Sequence, residues 1–192
     1  MKNARIFIDI QNDLIDGTLK NNAAISIMSN IIKYAEALRN VIVKSDEINE
    51  ILFCTQDTHK KTIEYGNNKA GYIETLEYKK NINEHCILGT YGWLINKHLY
   101  NVINGYATLL QKDTFAYKYW DDYLNDCDTV TLCGLYTDTS VLANALMIRT
   151  IYPVKKITVI SDLCAGTTPT KHKEALSIME SLMIDVETVY KK

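Results

Sequence analysis

Six short runs of aliphatic and β-branched residues punctuate the chain, separated by helical patterns. This alternation constrains the fold more than any other feature. The runs are ARIFIDI (4–10), EILFCTQD (50–57), ATLLQKD (107–113), DTVTLCGL (128–135), KKITVISDL (155–163) and DVETVY (185–190). Their apolar residues are continuous rather than strictly alternating, as in strands buried on both faces of a parallel sheet. Helical patterns fill 21–44, 92–104, 117–125, 138–151 and 169–183. Asp138 is placed to cap the fourth of these, and Thr168-Pro169 opens the fifth with proline in its first turn. The alternation predicts an open, mostly parallel sheet with right-handed crossovers, in a three-layer α/β/α sandwich. The exception is Thr58 to Tyr91, long, polar and weakly periodic. A connection of that length inside a compact domain is usually functional or disordered.

The chain of 192 residues suits a single domain, 1–192, large enough to enclose a sizeable core. A net charge of −2 excludes the electrostatic footprint of nucleic-acid or anionic-membrane binding. No apolar run approaches the roughly 20 residues of a membrane span. MKNARIFIDIQND passes directly into a strand with acidic residues and does not read as a signal peptide. Cys54, Cys86, Cys127, Cys133 and Cys164 are odd in number and unpaired in spacing. They read as reduced thiols, and the expected location is cytoplasmic.

In open parallel sheets, ligands sit beyond the carboxyl ends of the strands. There the first strand delivers Asp9, then Gln11, Asn12 and Asp13, and the second delivers Asp57 with His59 beyond it. The third delivers Lys112 and Asp113, the fourth the turn Leu135 to Ser140, and the fifth Asp162. Asp9 lies in an apolar strand, where an ionised carboxylate must be paired or hydrogen-bonded. Lys112 at another buried strand end makes a plausible ion-pair partner. Taken singly, Asp9 also reads as a turn cap and Lys112 as a snorkelling surface lysine.

Asp57 and His59 leave their strand as an Asp-x-His pair, and His85 in NEHCILGT can add a third ligand. Glu74 or Glu77 from the intervening loop can complete a shell suited to zinc, iron or manganese. Hydrogen-bonding loop histidines are the alternative reading. Cys86 reads as a small buried apolar residue. Ser140 falls in the first turn of a helix, where free N–H groups and the positive dipole end can receive a developing oxyanion. A serine in that turn is also a common capping residue.

In order, IFIDIQNDLIDGTL, TQDTH with HCILGTYGW, LLQKDTF, and CGLYTDTSVLANAL followed by VISDLCAGTTPTKHKEAL span almost the whole chain. With these blocks the sequence resembles the isochorismatase-like cysteine hydrolases, within them the nicotinamidase/pyrazinamidase branch. The resemblance implies a six-stranded parallel sheet and a catalytic triad of Asp9, Lys112 and position 140. It implies an oxyanion hole from the backbone N–H groups of Tyr136 and Ser140, and a cis peptide at Leu135–Tyr136. It further implies a divalent metal, zinc foremost, on Asp57, His59 and His85 with Glu74, and a substrate pocket that includes Gln11 and Leu14. The expected substrate is nicotinamide or a related small amide, hydrolysed to the acid and ammonia, by a chain that can form homo-oligomers.

Two positions depart from the family pattern: Ser140 stands where the nucleophilic cysteine is usual, and Tyr136 where a small residue is usual. A serine hydroxyl is a far weaker acid than a thiol, so attack requires concerted proton removal. Lys112 is expected to keep the Asp9 pKa low and make it a poor base. The implied activity is therefore reduced or abolished. A non-catalytic relative that binds a nicotinamide-like ligand or a protein partner is the alternative. An isochorismatase-type hydrolase is disfavoured, because that branch does not need the metal set.

Overall fold

The computed structural model describes residues 1–45, 49–80 and 82–190. The chain opens with β1 (Asn3–Ile8), α1 (Asn12–Ile15), α2 (Asn22–Lys44) and β2 (Glu50–Asp57). Then come β3 (Ile63–Tyr65), β4 (Asn68–Ala70), α3 (Leu76–Lys79), α4 (Lys97–Ile103) and β5 (Ala107–Lys112). The last third carries α5 (Asp121–Leu124), β6 (Thr129–Leu135), α6 (Leu142–Ile151), β7 (Lys156–Ala165), α7 (Pro169–Ser181) and β8 (Asp185–Glu187).

Six strands form one sheet in the order β5-β2-β1-β6-β7-β8, with every neighbouring pair parallel. From β1 the chain steps outward one way, to β2 and β5; from β6 it steps the other way, to β7 and β8. Right-handed crossovers therefore put α2 and α4 on one face and α5, α6 and α7 on the other. Ile6, Phe7 and Ile8 are buried in succession, as are Val130 to Leu135, because both faces of the central strands are covered. On edge strand β5, by contrast, Thr108, Leu109 and Gln111 are exposed.

Local signals explain the principal helices. The Asn21 side chain accepts from the N–H groups of Ala23 and Ala24 to start α2, which buries Ala24, Ile31, Ala35 and Leu38 along one stripe. Thr168 caps α7 through the Lys171 N–H, with Pro169 in the first turn.

Several expected elements differ: the strand expected over 185–190 ends at Glu187, and the helix expected over 138–151 becomes α-helical only from Leu142. The helix expected over 92–104 begins only at Lys97, because residues 92–96 bond to the turn after β1. Asn12 N–H donates to Leu94 O, Asp13 N–H to Gly92 O, and Asn96 N–H to Ile10 O. The helix expected over 117–125 shrinks to one turn, Asp121–Leu124, and Asn144 Oδ1 holds the segment before it by accepting the Tyr117 N–H and the Trp120 indole N–H at 2.9 Å each. The polar stretch from Thr58 to Tyr91 contains a small antiparallel hairpin (β3 and β4), a 3-10 turn at Tyr72–Glu74 and the single-turn α3.

Candidate active site and metal centre

The chain reverses its direction of travel across the sheet between β1 and β6, and this switch point opens a crevice at their carboxyl ends. Gly134 permits the close approach there: with φ at 132°, a Cβ on it would lie 2.2 Å from Ile8 O. The Leu135–Tyr136 peptide that follows is cis, as the family resemblance implies. The chain then winds into a π-helical turn, Thr137–Val141, before α6. Asp138 does not cap this turn. Its carboxylate accepts from Thr167 N–H at 2.7 Å and Thr167 Oγ1 at 2.6 Å, tying the turn to the segment after β7.

Asp9, just past β1, is fully buried and has a φ of 50°, a left-handed conformation that aspartate tolerates better than most residues. Its Oδ1 accepts the Thr55 hydroxyl at 2.6 Å, and its Oδ2 lies 2.6 Å from Lys112 Nζ. Apart from that ion-pair contact, Oδ2 has no hydrogen-bond partner. Lys112 Nζ also reaches Ser140 Oγ at 3.5 Å and Asp57 Oδ1 at 3.6 Å. Three strand ends and the π-helical turn thus converge on one ammonium. Burial pushes the Asp9 carboxyl above its ordinary value despite the opposing pull of Lys112. This corrects the expectation of a low Asp9 pKa, because desolvation outweighs the neighbouring cation. Burial would lower Lys112, but the Asp9 and Asp57 carboxylates reverse that and raise it.

Beside these residues, side-chain atoms of Asp57, His59 and His85 that could ligate a metal ion all lie within 4.8 Å of one another. His59 Nε2 is 3.1 Å and His85 Nε2 3.5 Å from Asp57 Oδ2. The fourth group is Glu77 on α3, with Oε2 3.3 Å from His59 Nε2 and Oε1 4.0 Å from His85 Nε2. Glu74 is displaced from this position, since its Oε2 accepts the Gly71 N–H at 3.0 Å across the 3-10 turn. Of the two glutamates that the loop offers, Glu77 rather than Glu74 approaches the histidines. Glu74 instead lines a cavity of about 500 Å³ with His59, Tyr65 and Gly71. Burial would raise the Asp57 carboxyl, but the two histidines and Lys112 hold it well below the usual range. His85 is raised: burial opposes its charge, but Asp57, the Asn83 carbonyl and Glu77 outweigh that.

The donor set fits a divalent cation. In a tetrahedral zinc site with bonds of about 2.0–2.1 Å, ligand atoms sit roughly 3.3–3.4 Å apart. The separations from Asp57 and from Glu77 to His59, and from Asp57 to His85, fall around that value. His85 Nδ1–H donates to Asn83 O at 2.9 Å, which leaves Nε2 free to ligate.

Gln11, expected in the substrate pocket, is wholly buried instead. Its amide bonds the backbone N–H and carbonyl of Asp57 and so braces that residue. Leu14 is buried, and its carbonyl accepts the Tyr136 hydroxyl at 2.8 Å. That hydroxyl reaches Leu19 O at the same distance. Asp162 lies within β7 and receives the N–H groups of Val189 and Tyr190, serving the C-terminal segment. Asp113 is exposed beside Lys118. Thr55 and Asn144 belong to the site although neither stands out in the sequence. Asn144 Nδ2 donates to Ser140 O at 2.8 Å from one helical turn on, and that spacing was the available signal. All five cysteines are buried and unpaired. Among the described residues no helix is long and apolar enough to cross a membrane.

A protein-family profile described as the isochorismatase domain matches residues 3–190. Among solved structures, the chain is similar to an isochorismatase-like hydrolase from Alkaliphilus metalliredigens, with 22% identity, TM-score 0.78 and coverage of 98% of this chain and 95% of that one. A nicotinamidase from Bacillus subtilis superposes with TM-score 0.76 at 20% identity, covering 97% and 99%. A pyrazinamidase of Pyrococcus horikoshii in complex with zinc does so with TM-score 0.75 at 20% identity, covering 98% and 100%. No curated protein matches the sequence significantly.

Proposed function

Because this chain belongs to the isochorismatase domain family, we propose that it is a metal-assisted hydrolase of small amides of the nicotinamidase type, slowed by its serine nucleophile. The observation that carries this reading is Lys112, whose ammonium joins Asp9 at 2.6 Å, Ser140 Oγ at 3.5 Å and Asp57 at 3.6 Å in one buried cluster. Relatives of the same fold include a nicotinamidase and a zinc-bound pyrazinamidase. A divalent ion held by Asp57, His59, His85 and Glu77 would supply a Lewis-acidic anchor that orients a heteroaromatic amide.

Ser140 Oγ bonds to the amide carbonyl carbon as Asp9 takes the hydroxyl proton. The backbone N–H groups of Tyr136 and Ser140 receive the oxyanion. Asp9 returns the proton to the nitrogen, the C–N bond breaks and ammonia leaves. Water then attacks the seryl ester as Asp9 takes its proton, the acyl carbon–Oγ bond breaks, Asp9 returns the proton to Ser140 Oγ, and the acid is released. A carboxyl raised by burial is a better base for a hydroxyl than one held low by lysine.

A binding relative without turnover is the second reading. It is favoured by the Tyr136 hydroxyl tied to Leu14 O and Leu19 O, and by the near-complete burial of Ser140. Ammonia release from nicotinamide by the wild type and by Ser140→Cys, with zinc content measured on both, separates the two. Turnover by the wild type supports the amidase. Turnover by the cysteine form alone supports the binding relative with an intact pocket. Inactivity of both forms, with no bound metal, sinks the nicotinamidase reading. His59→Ala should lower bound metal sharply with the fold intact.

A further inference from the structure

Immediately after β1, the consecutive residues Gln11, Asn12 and Asp13 are all buried and all turned toward the loops that carry the metal set. Gln11 Oε1 accepts the Asp57 N–H at 2.8 Å, and Gln11 Nε2 donates to Asp57 O and to Trp93 O at 2.8 Å each. One side-chain amide thereby takes the place of a neighbouring strand at the residue where β2 ends. Asp13 Oδ2 accepts the Cys86 N–H at 2.8 Å, and its Oδ1 accepts the Thr18 N–H at 3.1 Å.

Cys86 follows His85 and has a φ of 48°, a left-handed conformation that a cysteine seldom adopts. The charge-assisted bond from Asp13 holds that reversal and so aims the His85 imidazole. The Cys86 carbonyl in turn accepts the His59 N–H at 3.0 Å, and Leu88 N–H returns to His59 O at 2.9 Å. The bracing therefore reaches all three ligands. Gly92 makes room for the carboxylate: a Cβ there would lie 2.0 Å from Asp13 Oδ2. The Gly92 carbonyl meanwhile accepts the Asp13 N–H at 3.0 Å.

We propose that Gln11 and Asp13 are positioning residues of the metal centre, Gln11 fixing Asp57 and Asp13 fixing His85 through Cys86, so that the turn after β1 sets metal affinity without touching the ion. The inference rests on Asp57, His59 and His85 being the ligands. Neither residue contributes a ligand atom to the cluster. Their effect runs through the orientation of groups that do, as expected of an outer shell whose loss typically weakens binding by 10–100-fold.

The test is zinc affinity of the whole chain, measured by competition with a chromophoric chelator, alongside the visible spectrum of the cobalt-loaded protein. Gln11→Met, Asp13→Ala and Gly92→Ala are compared with His59→Ala as the ligand control. The three positioning variants should bind zinc roughly 10–100-fold more weakly. In Gly92→Ala, where every polar partner is retained, the cobalt band should also shift. Wild-type zinc affinity and an unchanged cobalt spectrum in Gln11→Met and Gly92→Ala, with His59→Ala impaired, would overturn the positioning role alone. Equal binding by the wild type and His59→Ala, or no binding by either, would overturn the ligand assignment and the inference with it. If Asp13→Ala does not fold, the other two variants decide.

Discussion

Lys112 Nζ sits 2.6 Å from Asp9 Oδ2, with the Asp9 side chain fully sealed from solvent and that of Lys112 2% exposed. Each charge is the nearest compensation for the other, with Asp57 beside Lys112 and the Thr55 hydroxyl on Asp9 adding to it. Removing one partner of such a pair leaves an uncompensated buried ion at a cost of about 3–5 kcal/mol. Lys112→Met should therefore destabilise the fold by roughly that amount and abolish ammonia release. The double variant Asp9→Asn/Lys112→Met should recover part of the stability and none of the activity. Urea denaturation of the single and double variants measures both terms.

Ser140→Cys should raise the rate of ammonia release from nicotinamide. A thiol near a helix start and a cation ionises far more readily than a hydroxyl, so attack no longer depends on concerted proton removal. A gain of about 100-fold would correspond to ~2.7 kcal/mol off the barrier. Steady-state kinetics of the two forms at equal zinc loading decide it, and equal rates would show that the oxygen is not what limits turnover.

Zinc should stabilise the protein more at pH 8 than at pH 6. The folded, metal-free chain holds His85 above its ordinary 6.5. The stability contributed by the His85 proton is present below the unfolded pKa and is lost as pH rises through the folded one. Zinc needs the neutral imidazole and must displace that proton, so its affinity falls as pH drops below the raised value. Thermal melts with and without zinc across this range read the difference, and an increment that does not grow with pH excludes His85 as a ligand.

Tyr136→Phe should cost about 0.5–1.5 kcal/mol while leaving the chain folded. The substitution keeps the ring but removes the hydroxyl that bonds Leu14 O and Leu19 O at 2.8 Å each. The denaturant midpoint should fall with an unchanged slope.

The strand at 50–57 was legible to the residue, because its short apolar run Ile51–Cys54 sits in a chain of similar runs spaced by helical patterns, as a parallel sheet requires. The helix over 21–44 was off by one residue, its start marked by Asn21. Both are decided by neighbours close in sequence. The expected helix over 117–125 is reduced to Asp121–Leu124, and the chain before it is held by Asn144, more than twenty residues away, which accepts the Tyr117 N–H and the Trp120 indole N–H.

At the site, the sequence alone determined which residues reach the rim: Asp9, Asp57, His59, Lys112 and Ser140 all stand at or just beyond the carboxyl ends of strands. Only the tertiary structure decided what each one meets there. Glu77 rather than Glu74 joins the histidines, because the intervening loop folds into a hairpin, a 3-10 turn and one turn of helix that direct Glu74 to its own backbone. Gln11 turns inward to clamp Asp57, and Asp138 and Asp162 are taken up by distant backbone. Asp9 lies above rather than below its ordinary pKa, because burial, a property of the whole fold, outweighs the single lysine that strand order placed beside it. Local patterning sets where the chain runs straight or coils. Contacts between distant segments set desolvation and hydrogen-bond partnership, and these decide which rim carboxylates are free to act.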